Sequence, residues 1–124
     1  RVLKFDHAFI GREAVEAEIA AGGPQRKLVT FVVDVDPDAP ADVIGDEPVW
    51  HVGPEGERVV GWITSGGYAH YSAVSLAMGY IPTELAAPTD EAGGRFEIEI
   101  IGRRRPAKLQ HGPVLDPQGL RMRA

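Results

Sequence analysis

At 124 residues and 13.4 kDa the chain fits one compact domain with a single core. Its 18 acidic and 13 basic residues leave a formal charge of −5, which disfavours a phosphate backbone as partner, and the absence of Cys excludes disulfides, thiolate metal sites and cysteine nucleophiles. No apolar run approaches the ~20 residues of a membrane-spanning helix, so no membrane partner is expected and a cytoplasmic location is the default.

The opening "RVLKFDHAFIGRE" has neither an initiator Met nor the charged-then-apolar pattern of a signal peptide. It predicts a piece of a longer protein whose N-terminal neighbour is missing. "REAVEAEIAA", Arg12 to Ala21, predicts one short amphipathic helix: Ala, Glu and Arg favour helix, Val15 and Ile19 share a face, and Gly22-Gly23-Pro24 supplies the stop.

Beyond Pro24 the period falls from 3.6 to 2. "LVTFVVDV" sets Val29, Phe31, Val33 and Val35 on one face and Thr30 and Asp34 on the other, the pattern of a half-buried strand. "DPDAPADVIGDEP", Asp36 to Pro48, reads as a Pro- and Asp-rich loop. Further strands are predicted over Pro48 to Val52, Glu57 to Thr64, Ser75 to Ile81, Arg95 to Ile101 and Arg105 to Gln110, six in all. The short "GPEG" and "GRRR" connections suit antiparallel hairpins. The fold class expected is mainly all-β, a small closed barrel preceded by one helix. Gly61 and Gly79, each inside an apolar strand, mark sharp bends or close backbone approach. Between the strands, "SGGYAHYS" reads as a loop in which Gly66 and Gly67 let the chain leave the strand, so that Tyr68, His70 and Tyr71 project from a barrel end.

Few residues point to chemistry. His7, His51, His70 and His111 lack ligand spacing, so no metal site is expected. Ser65 sits in "ITSGG" rather than Gly-x-Ser-x-Gly, and no helix follows to complete a nucleophile elbow or a phosphate cradle. No catalytic residue is assigned. Arg103, Arg104 and Arg105 fall where a hairpin turn is expected and read either as a solvated turn or as a contact for an acidic neighbouring domain or an anionic ligand tail. Trp50 and Trp62 read as core or barrel-end packing.

The order of motifs carries more than any one of them. "FIGREA" at Phe9 to Ala14, Gly45 to Val49, "VGWITSG" at Val60 to Gly66, Ala77 to Ile81 and Gly102 to Ala107 together resemble the C-terminal domain of the aminomethyltransferase (glycine cleavage T-protein) family. The closing "GPVLDPQGLRMRA" and "SGGYAHYS" look most like the dimethylglycine and sarcosine dehydrogenase branch. The resemblance covers nearly the whole chain, residues 1–124, as one domain. It implies a six-stranded antiparallel barrel of Greek-key or jelly-roll type that caps a tetrahydrofolate site in a preceding folate-binding domain of the same polypeptide, with FAD further upstream in the dehydrogenases. The catalytic residues of that family belong to the upstream domains and none maps here, so the isolated piece is expected to be inactive and to bind no folate. On this reading Ser65, Gly66, Gly67, Tyr68 and His70 face the folate or the partner domain. Alternatively, Tyr71 simply plugs the barrel end. The rival to the whole reading is a free-standing barrel that binds RNA or protein.

Overall fold

The computed structural model describes residues 4–87, 94–121 and 123. The first three residues of the opening stretch Arg1 to Glu13, and Met122 and Ala124 of the closing motif, lie outside them.

The helix α1 spans Arg12–Ala20, one residue shorter than predicted. It stops as its sequence requires: Gly22 and Gly23 take φ of 104° and 87°, and their amides bond back to the carbonyls of Ile19 and Glu18, closing a Schellman turn. The Val15–Ile19 face does not enter the core, however, and α1 contributes no buried residue.

Six strands follow: β1 (Arg26–Val33), β2 (Pro48–Gly53), β3 (Gly56–Ala69), β4 (Val74–Pro82), β5 (Arg95–Ile100) and β6 (Arg103–Gln110). They close into a barrel in the order β1-β4-β3-β2-β5-β6, every neighbouring pair antiparallel. The meander β2-β3-β4 with β1 returned beside β4 is a Greek key. Alternation selects the inside: Val29, Phe31 and Val33 of β1, Val49 of β2, Ala77 and Ile81 of β4, and Phe96, Ile98 and Ile100 of β5 are buried together. Closure leaves no sheet edge open to pairing with another chain.

Both ends are covered. A strap, residues 34–47, crosses one end and drops Val43 into the core, with Val35 and Ala41 packed against it. A single 3₁₀ turn, Thr83–Leu85, covers the other with Leu85 and Ala86. The expected close approach at the strand glycines is present: a methyl on Gly61 would overlap the carbonyl of Tyr80, and one on Gly79 the carbonyl of Trp62.

Three expectations are corrected. The segment from Ser65 to Ala69 does not leave the sheet but continues β3, paired with β4 from Met78 to Val74 after a register shift between Ile63 and Ser65. The true connection is the four-residue turn His70 to Ala73. Glycine is needed at position 66 because a side chain there would run into Val43 of the strap and the carbonyl of Leu76. Second, the β5–β6 turn is Ile101-Gly102, both at positive φ (48° and 70°), so the arginine triplet starts β6 rather than forming the turn. Third, Trp50 and Trp62 lie on the outer face. Trp50 donates its indole N–H to Glu99 (3.0 Å) beneath the guanidinium of Arg104, which sits 3.6 Å from the ring centre, and Arg26 covers Trp62 at 4.9 Å.

Candidate functional site

The strap is held across its end of the barrel by polar latches, because its Pro- and Asp-rich sequence offers no strand of its own. Ser75, buried on β4, donates its hydroxyl to the Asp42 carboxylate (2.7 Å), and Arg105 donates from Nη2 to the carbonyl of Ala39 (2.7 Å). Within the strap, the Glu47 carboxylate accepts from the amides of Ile44 (2.7 Å) and Gly45 (2.9 Å).

Between the strap and the end of the β3–β4 hairpin lies a cleft of about 1080 Å³. Val33, Phe96 and Ala107 supply apolar surface; Tyr68 and His70 stand on the hairpin side and Asp42 on the strap, while Arg95 and Lys108 add positive charge. The rings of Tyr68 and His70 meet edge to face at 5.1 Å. His70 also borders a second groove of about 830 Å³, formed with Tyr71, Leu28, Met78 and the C-terminal residues Val114 and Leu115. The His70–Ala73 turn thus separates two cavities. Tyr71 is 70% exposed and plugs neither barrel end.

Of the five residues predicted to share one functional surface, the structure brings only Tyr68 and His70 to the cleft. Gly66 serves strap clearance, Gly67 takes a φ of 153° open mainly to glycine, and Ser65 pairs opposite Met78 away from the cleft. The arginines divide as well. Arg104 is engaged with Trp50 and, at 2.5 Å, with Glu57; Arg105 points inward. Among the described residues the side chain of Arg103 alone of the three has no hydrogen-bond partner, and it lines a small depression of about 240 Å³ with Asp34 and Asp36.

Two buried polar side chains escaped the sequence reading. Arg105 is only 7% exposed, with its Nε unpartnered among the described residues, and His51 is likewise 7% exposed, with Nε2 unpartnered among them and its ring 5.2 Å from Phe96. Strand phase was the available signal. His51 stands two residues after inward Val49, and Arg105 stands two before Ala107 and four before Leu109. Burial, and secondarily the charge of Arg58, lowers the pKa of His51 below its ordinary value. The unfolded chain therefore binds this proton more readily than the folded one. Stability from this group is complete above an unfolded pKa near 6.5 and falls as pH drops from there toward the folded value. His51→Leu should flatten the pH 5–7 part of a urea-denaturation series; an unchanged slope would show that another group is responsible.

The cleft offers recognition surface rather than a reactive pair. Among the described residues the cleft's carboxylates are Asp34 and Asp42, the Ser75 hydroxyl that donates to Asp42 has no imidazole hydrogen-bonded to it, and no three acidic or imidazole groups converge to ligate a metal. No described helix is long and apolar enough to cross a membrane.

Residues 26–116 match the model of the glycine cleavage T-protein C-terminal barrel domain. The chain is 35% identical over 118 residues to mitochondrial dimethylglycine dehydrogenase of Mus musculus, a match covering 93% of this chain and 12% of that protein. It is 36% identical over 115 residues to an aminomethyltransferase of Acidobacterium capsulatum (92% of this chain, 27% of that protein). It is 33% identical over 115 residues to 4-methylaminobutanoate oxidase (formaldehyde-forming) of Paenarthrobacter nicotinovorans (93% and 12%). The chain therefore spans between 12% and 27% of the length of these relatives.

Proposed function

Because this chain belongs to the glycine cleavage T-protein C-terminal barrel domain family, we propose that it is the accessory barrel of a folate-dependent aminomethyltransferase or a dimethylglycine dehydrogenase-like flavoenzyme, helping to close a tetrahydrofolate site in the preceding domain. The observation that carries this reading is the strap-end cleft, which has apolar walls and an aromatic edge and whose Ser75–Asp42 hydrogen bond latches the strap. It suits a wall of a shared site. Tyr68 offers a ring face for a flat heterocycle, and Lys108 and Arg95 offer charge for an anionic tail, so the residues present fit a folate. In the whole enzyme tetrahydrofolate supplies the acceptor for a one-carbon unit. The barrel's own share is to bind, orient and exclude water, with His70 and Tyr68 as the contacting side chains. In the dehydrogenase case a flavin would be held further upstream. Arg103, whose side chain has no hydrogen-bond partner among the described residues, is the arginine left to meet an acidic patch of the neighbouring domain.

The test uses the complete enzyme. A Tyr68→Ala/His70→Ala double substitution should weaken reduced-folate binding about tenfold, the loss of roughly 1.4 kcal/mol of aromatic contact. Tyr71→Ala, on the other side of the turn, should leave affinity unchanged. Equal affinity in the double variant and the parent would remove the cleft from the folate site.

A further inference from the structure

Residues 4–20 form a module that the barrel does not explain. Arg12 organises it: its guanidinium lies 5.7 Å from the centre of the Phe5 ring and donates to the carbonyls of Phe5 (3.2 Å) and His7 (3.1 Å), while its Nε donates to Glu16 (2.7 Å). Phe5 and Phe9 meet edge to face at 5.9 Å. Yet Ile10 is fully exposed, Ile19 is 56% exposed, and α1 makes no extensive contact with any described strand and buries no residue. Its tie to the barrel comes after its end, where Thr83 donates from its hydroxyl to the carbonyl of Pro24 (2.5 Å) and from its amide to that of Gln25 (3.0 Å). A nine-residue helix with no side-chain cap and no buried residue is marginal in water, so an added surface that covered Ile10 and Ile19 would stabilise it.

Two observations point to that surface. The barrel family's match begins at residue 26, beyond α1, whereas the match to dimethylglycine dehydrogenase covers 93% of the chain and leaves too few residues outside it to omit α1. The α1 sequence therefore lies within the stretch shared with that longer protein, although α1 adds no buried residue to the barrel core. That protein and the aminomethyltransferase also carry most of their length outside the matched stretch.

We infer that Phe5, Phe9, Ile10 and the Ile19 side of α1 are the docking element by which the barrel seats on the domain preceding it in a longer polypeptide. This rests on the accessory-domain reading above but concerns a different surface from the cleft. The surface that receives the module is apolar at its centre, for Ile10 and Ile19, and basic at its rim, facing the exposed carboxylates of Glu13 and Glu18.

Hydrogen exchange on the 124-residue chain and on the complete polypeptide tests it. The Arg12–Ala20 amides should exchange almost freely in the short chain and about 100-fold more slowly in the complete one. Ile10→Asp/Ile19→Asp should restore fast exchange there while β1 amides stay protected, which shows that the barrel is still folded. Slow exchange of α1 in dilute short chain would overturn the inference, as would protection that rises with its concentration, the mark of a second copy, or a double variant without effect. Failure here leaves the folate result for Tyr68 and His70 intact, so the two readings fall separately.

Discussion

Gly61→Ala and Gly79→Ala are each expected to cost roughly 3 kcal/mol or more, lowering the melting temperature by about 15 °C. The reason is geometric. Six strands close only by coiling sharply, and β3 and β4 approach most closely where these inward-facing glycines sit opposite each other's neighbours. The added methyl at Gly61 would overlap the Tyr80 carbonyl oxygen and lie 2.9 Å from the Tyr80 carbonyl carbon. At Gly79 it would overlap the Trp62 carbonyl oxygen and lie 2.9 Å from the Ile63 Cα. These are backbone atoms held in a ladder, so they cannot rotate away as a side-chain tip does. Gly102, by contrast, has open space around its Cα, and a substitution there pays only for its positive φ. Thermal unfolding of the three variants checks the ranking; equal, small losses at all three would mean that β3 and β4 stand further apart than described.

Phe31→Ala should cost about 3–5 kcal/mol, a large share of the 5–15 kcal/mol typical of a domain this size. Phe31 is fully buried on β1 and begins an aromatic chain across the barrel: its ring centre is 5.3 Å from that of Phe96, which is in turn 5.2 Å from His51. Removing it deletes one end of that chain and leaves a void that a closed barrel cannot collapse to fill. Phe31→Leu keeps most of the volume and should cost no more than about 1.5 kcal/mol. Urea-denaturation midpoints for the two variants read the difference, and similar midpoints would indicate that the barrel relaxes around the void.

The barrel was legible because most of its inward positions announce themselves by alternation. β1 and β5 carry it cleanly, and the glycines at 61 and 79 were read correctly as places of close backbone approach. The failures share one cause: a residue's local preference was taken for its tertiary role. Gly66 and Gly67 look like breakers, yet β3 keeps its pairing through them because the strap crosses above position 66. Arg105 looks like surface, but it lies in the inward phase of β6 and reaches Ala39, a contact 66 residues away in sequence. Trp50 and Trp62 look like core, but they sit on the outward phase under arginines. In α1 the Val15–Ile19 face reads as a buried stripe, although it contributes no buried residue to the core. At the candidate site, Tyr68 and His70 could be picked out as exposed aromatic and titratable side chains. The wall opposite them could not, because a Pro-rich strap has no periodicity from which to place it.

On the proposed function this barrel contributes one wall to a folate site and does not hold a complete one. Calorimetric titration of the 124-residue chain with a reduced folate tests it most directly. No measurable heat of binding is expected from the isolated barrel, with binding appearing when the preceding domain is present. Micromolar binding by the barrel alone would contradict the account.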